Sequence, residues 1–97
     1  MSTERNQQMA KVTVRYWAAA KAAAGVAEEA YEADTLAEAL DAVRGRHSGD
    51  SGGGELTRVL MRCSFLVDGD PVGKRAHETV RLADGGTVEV LPPFAGG

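Results

Sequence analysis

The last seven residues, Leu91-Pro92-Pro93-Phe94-Ala95-Gly96-Gly97, hold the residue types whose order suggests chemistry. Neither proline has an N–H to give a sheet, and each biases the residue before it toward extended backbone. A strand running into this segment should therefore stop at about Leu91, and the chain should leave it as an extended arm. From Pro92 the arm has six residues, a reach of about 20 Å when fully extended. Gly96 and Gly97 lack a Cβ, so another protein can draw this end into a narrow channel. Read this way, the Gly97 carboxylate is the reactive group, and Pro92, Pro93, Phe94, Ala95 and Gly96 present it. A frayed terminus that happens to be glycine is the plainer reading. A frayed tail, however, has no need of a proline spacer and an aromatic.

Other candidates for chemistry are weaker. The single cysteine, Cys63, falls on the apolar face of a predicted strand, where a thiol is usually inert. His47 and His77 are far apart, with no cysteine or carboxylate at ligand spacing, so no metal site is expected. Glu28, Glu29 and Glu32 read as a solvated strand edge. The glycines of Ser48 to Gly54 lack the Gly-Lys-Ser/Thr of a phosphate loop, and no strand leads directly into them. No serine or cysteine nucleophile has a credible histidine partner. The chain is thus expected to bind no cofactor of its own.

Composition narrows the class. The 97 residues suit one domain with one modest core, and 43% are apolar, enough for a globular fold. The net charge is −3 and basic residues are scattered, which argues against nucleic-acid binding. A lone cysteine excludes an intrachain disulfide. No apolar run spans a bilayer and Met1 to Met9 lack a signal segment, so a cytoplasmic protein with no membrane partner is expected.

The elements that must position the tail follow from periodicity. Residues 1–9 read as a disordered lead-in, 10–91 as the domain and 92–97 as the tail. Lys11 to Trp17 alternates as a strand, with Val12, Val14 and Tyr16 inward. Ala18 to Ala24 predicts a short helix closed by Gly25. Ala27 to Ala33 is assigned to a second, antiparallel strand despite its helix propensity. Thr35 and Glu38 have capping-box spacing and open the main helix, with Leu36, Ala39, Leu40 and Val43 as its apolar stripe and an end near His47. Ser48 to Gly54 is expected to be a loop and Glu55 to Met61 a helical turn. A strand follows at about 62–68 with Cys63, Phe65 and Val67 inward, then a turn at Asp68-Gly69-Asp70 and a short return strand. Val80 and Leu82 are expected inside, Ala83 to Gly86 form a turn, and Thr87 to Leu91 form the last strand. A sheet with one main helix across a face is a two-layer α+β design. On this register Trp17, Leu66 and Leu91 point away from the helix and form a candidate partner-binding patch.

This order, ending in Val88-Glu89-Val90-Leu91-Pro92-Pro93-Phe94-Ala95-Gly96-Gly97, resembles the ubiquitin-like β-grasp sulfur carriers, and looks most like the MoaD type of the MoaD–ThiS family. Tyr16-Trp17-Ala18 with Lys21 and Gly25, the helix start at Thr35-Leu36, and Leu82-Ala83-Asp84-Gly85 with Val88 match its pattern. Two positions depart from it: Gly86 stands where an acidic residue is usual, and Val67-Asp68-Gly69 where Val-Asn-x is frequent.

The resemblance implies a β-grasp fold and a covalent shuttle. A ubiquitin-activating-type enzyme (MoeB-like) would use Mg-ATP to adenylate Gly97. A persulfide sulfur donor would convert it to a thiocarboxylate. The tail would then give its sulfur to a pterin precursor in the large subunit of molybdopterin synthase (MoaE-like), in a hetero-oligomer. The catalytic groups would belong to those partners. Carriers for thiamin, cysteine or secondary-metabolite synthesis belong to the same class; the Leu-Pro-Pro spacer favours the molybdopterin type over the thiamin type, whereas the cysteine-forming type can end similarly. A protein modifier joined through Gly97 to lysines, and a binding module without carboxyl chemistry, are the readings outside this class.

Overall fold

In the computed structural model, residues 9–48 and 53–93 are described. The lead-in up to Gln8, most of the 48–54 loop and the tail residues Phe94, Ala95, Gly96 and Gly97 lie outside them.

The chain enters through β1 (Lys11–Tyr16), whose alternation buries Val12, Val14 and Tyr16 as expected. The alanine-rich α1 (Ala18–Ala24) follows. It ends at Gly25, whose φ of +82° is the left-handed geometry that glycine adopts without a Cβ penalty, and whose N–H donates to the Lys21 carbonyl. That sharp stop returns the chain antiparallel to β1 as β2 (Glu28–Glu32). Pairing with β1 here outweighs the helix propensity of Glu28-Glu29-Ala30.

α2 (Leu36–Arg46) is capped as its sequence indicates. The Thr35 hydroxyl accepts from the Glu38 N–H at 3.2 Å. Glu38 reaches back to the Asp34 N–H at 2.8 Å, one residue before the usual box partner. Gly45 does not break the last turn. α3 (Gly53–Leu60) is a correction: the expected loop ends earlier, and the expected turn is a two-turn helix with Leu56 and Leu60 buried.

β3 (Ser64–Val67) is shorter than the predicted 62–68. Arg62 and Cys63 instead close the end of α3, donating from their N–H groups to the Val59 and Leu60 carbonyls. Phe65 is buried, while Cys63 and Val67 are only half-buried. β4 (Asp70–Pro71) pairs back on β3. A 3-10 turn at His77–Thr79 then leads to β5 (Thr87–Leu91).

The five strands form one mixed sheet in the order β2-β1-β5-β3-β4. β5 lies at the centre, parallel to β1 and antiparallel to β3. The core lies on one side of the sheet, where Val14, Tyr16, Phe65, Val88 and Val90 meet Ala20, Leu36, Leu40, Val43, Leu56 and Leu60 of the helices. This is the ubiquitin-like β-grasp architecture. No helix among the described residues is long and apolar enough to cross a membrane.

Candidate functional site

The tail is rooted in the middle of the sheet. Leu91 pairs with Ser64 of β3, and on the other side the Trp17 N–H donates to the Val90 carbonyl at 3.2 Å. β5 stops at Leu91, where the two prolines begin, as their missing N–H groups require. Pro92 is buried and Pro93 exposed. The root is thus held on both flanks, while the last four residues of the chain fall outside the described part.

On the sheet face without helices, strand register builds a row from Glu28 through Arg15, Glu89 and Leu66 to Pro71. The next row toward the tail holds Leu91 and Ser64, with Trp17 just past the end of β1. The three residues expected to form a patch, Trp17, Leu66 and Leu91, therefore do lie around one spot. Glu89 is at its centre: it sits opposite Leu66, two residues before Leu91, and accepts from the Trp17 indole N–H at 3.2 Å. The Arg15 guanidinium lies 5.2 Å from the Trp17 ring centroid and pairs with Glu28 at 3.5 Å. Trp17 is 39% exposed; Leu66 and Leu91 are half-buried. An exposed aromatic held by a cation and a carboxylate is preorganised for contact, because little side-chain freedom remains to be lost on docking. Sequence reasoning passed over Arg15 and Glu89, although strand alternation alone puts them on the face of Trp17 and Leu91.

A second cluster was also passed over, and Glu29 is a correction to the solvated edge. Its side chain is 13% exposed. Its Oε1 accepts from the Tyr16 and Tyr31 hydroxyls, both at 2.7 Å, and lies 2.9 Å from His47 Nε2. Arg46 Nε stands 3.8 Å from its other oxygen, and its guanidinium lies over the Tyr31 ring. Burial alone would raise this carboxyl's pKa, but the hydrogen bonds from His47, Tyr31 and Tyr16 outweigh it and hold the group below its usual range. Burial and the same carboxylate push both tyrosines upward. With Glu29 ionised, the group ties β1 and β2 to the end of α2. The bonds to Oε1 fix the fold, and the lowered pKa makes this carboxylate a weak base.

Cys63 has the surroundings of a structural thiol. It donates from Sγ to the Val59 carbonyl at 3.2 Å, and burial pushes its pKa up to about 11. His77 packs edge-on against Phe65. Among the described residues, no three metal-ligating side chains converge.

The sequence pattern of the ThiS family matches residues 14–97, nearly the whole chain. The chain belongs to the ThiS family. Its members are the ubiquitin-like sulfur carriers of the ThiS and MoaD type. No curated protein sequence is significantly similar to it.

Solved structures agree on the fold of this ThiS-family chain. Small archaeal modifier protein 1 from Methanosarcina acetivorans superposes with a TM-score of 0.75 at 20% identity, over 92% of this chain and 98% of the other. A putative molybdopterin converting factor subunit 1 from Pyrococcus furiosus gives 0.69 at 24%, over 88% and 99%. A chain of the complex of subunits 1 and 2 of the molybdopterin-converting factor from Helicobacter pylori gives 0.63 at 24%, over 90% and 99%.

Proposed function

We propose that this protein is a sulfur carrier whose C-terminal Gly97 is adenylated, converted to a thiocarboxylate and delivered into a partner's active site as the small subunit of a molybdopterin synthase. The observation that carries this reading is the rooting of the tail. Leu91 belongs both to the end of the central strand and to the Trp17–Glu89–Leu66 face, so a partner docked on that face receives Pro92 to Gly97 directly.

Each step has a simple chemical need. A carboxylate is a poor acyl donor. Attack of a Gly97 carboxylate oxygen on the α-phosphorus of Mg-ATP, in a MoeB-like enzyme, expels pyrophosphate and leaves an acyl-adenylate. The terminal sulfur of a persulfide donor attacks the acyl carbon and expels AMP. Thiol cleavage of the resulting S–S bond leaves the thiocarboxylate. The stabilising groups belong to the partners, whose enclosed sites act on the carbonyl. Gly96 and Gly97 keep the approach to that carbonyl open, Ala95 is small enough to follow them, and Phe94 supplies a specificity contact ahead of them. The Helicobacter pylori complex of subunits 1 and 2 supports a MoaE-like large subunit as the receiving partner.

Intact mass spectrometry tests the reading. After incubation with a ubiquitin-activating-type enzyme, Mg-ATP and a persulfide source, the chain should gain the mass difference of one oxygen replaced by sulfur, localised to Gly97. Deleting Gly97 should abolish the gain, and sulfur loading of the shortened chain would refute it. The likeness to small archaeal modifier protein 1 supports a second reading, conjugation to lysines through the same activated carboxyl. In that case the assay yields lysine-linked adducts instead.

A further inference from the structure

A different surface flanks the tail root. Leu91 pairs with Ser64, and only Met61, Arg62 and Cys63 separate Ser64 from the end of α3 at Leu60, so the chain brings the end of that helix close to the tail root. There α3 ends in a groove of about 570 Å³ lined by Glu55, Arg58, Val59, Met61 and Arg62. Met61 is 79% exposed, more than any other large apolar side chain described. Val59 beside it is half-buried. Among the described residues neither Arg58 nor Arg62 forms an ion pair. Among the described residues the groove's lining has two arginines to one glutamate and is locally basic, although the whole chain carries −3.

We infer that this groove is a second docking surface, which takes an acidic segment bearing an apolar side chain from the adenylating enzyme that activates the tail. The inference rests on the proposed carrier role. Charge complementarity chooses the occupant: carboxylates would meet Arg58 and Arg62, and an apolar side chain would cover Met61 and Val59. Continuity with the tail root chooses the partner, because a protein that encloses the residues after Pro93 must also pass over the end of α3. Docking would then be bipartite. The Trp17–Glu89–Leu66 face supplies aromatic and apolar contact on one flank of the root. The groove supplies charge on the other, which favours rapid encounter and fixes the angle at which the tail enters.

The test uses the full chain with the ubiquitin-activating-type adenylating enzyme from the same genome, followed by ATP–pyrophosphate exchange. The variants are Arg58→Glu/Arg62→Glu and Met61→Ser, all at exposed positions, with circular dichroism as the fold control. The charge reversal should raise KM about tenfold, leave kcat within about twofold, and remove most of the salt dependence of KM. Met61→Ser should raise KM by a smaller factor that does not vary with salt. If wild type exchanges and both variants match it, the groove proposal is overturned and the carrier reading stands. If wild type does not exchange at all, both fall. Two further results would overturn the proposal by naming another occupant. One is a wild-type dimer that the variants convert to monomer, which assigns the groove to a second copy. The other is a shift of the Met61 methyl resonance in the isolated chain on deleting residues 94–97, which assigns it to the chain's own tail.

Discussion

Glu29 and Cys63 show at the level of single residues how burial decides what a reactive group can do. Glu29 looks free in sequence, yet it accepts from two tyrosines and faces His47 and Arg46. Its folded pKa is lowered, so the unfolded chain binds this proton more tightly than the folded one. The stability it adds is full above the unfolded value near 4.5 and is lost as pH falls through the folded value. Glu29→Gln should cost about 1–3 kcal/mol at pH 7, since it weakens several buried hydrogen bonds at once. Urea unfolding at a series of pH values should show the difference from wild type shrinking below about pH 4. A constant difference down to pH 3 would remove Glu29 from the account. Cys63 should alkylate slowly at neutral pH and faster toward its raised pKa of about 11. Cys63→Ala should leave sulfur loading unchanged, and loss of loading with the fold intact would make the thiol part of the relay.

Turns and strands show a coupling that no residue shows alone. The two departures from the family pattern, Asp68 and Gly86, meet in space. Asp68 has a φ of +50°, and its carboxylate accepts from the Thr87 N–H at 2.9 Å. A Cβ added at Gly86 would lie 2.9 Å from that carboxylate and 2.9 Å from the Ala83 carbonyl oxygen. Glycine at 86 thus makes room for the acid at 68 to cap the start of β5. Gly86→Ala should destabilise by about 1–3 kcal/mol, as overpacking does. Asp68→Ala should also destabilise, by loss of the cap. In a double-mutant cycle the two should add to less than their sum, because removing Asp68 relieves half of the crowding. Strict additivity in thermal unfolding would show that the two sites act independently.

On the open face, Trp17 is held by Glu89 and Arg15 beside Leu91. Trp17→Ala should weaken partner binding at least tenfold, the usual cost of an aromatic anchor, while the unfolding midpoint moves little. Unaltered affinity by titration calorimetry would move the interface elsewhere.

For the molecule as a whole, body and tail divide the work. The core packs on one side of the sheet and the proposed docking face lies on the other, so binding there need not disturb packing. The core is built entirely from side chains at or before Val90. Deleting Gly97 should accordingly leave the thermal midpoint within a degree or so, since glycine has no side chain to lose from that core, while sulfur loading disappears. A clear drop in midpoint on that deletion would mean that the tail packs on the body.

What the chain determined by itself was local: the alternation of β1 and β5, the Thr35 cap, the Gly25 stop and the end of β5 before Pro92-Pro93. Neighbouring residues settle these features, through side-chain direction, donor supply and allowed φ. Contacts distant in sequence lay beyond that reach. Strand alternation assigns Glu29 to a face, but only the packing of α2 on β2 brings His47 and Arg46 to it. Parallel pairing of β1 with β5 sets Trp17 against Glu89, 72 positions away, and the β3–β5 register puts the tail root beside Ser64, just past the end of α3. Tertiary structure decided these because register between strands is a property of the whole sheet. Only when β5 is in place at the centre do the residues before the tail become a surface.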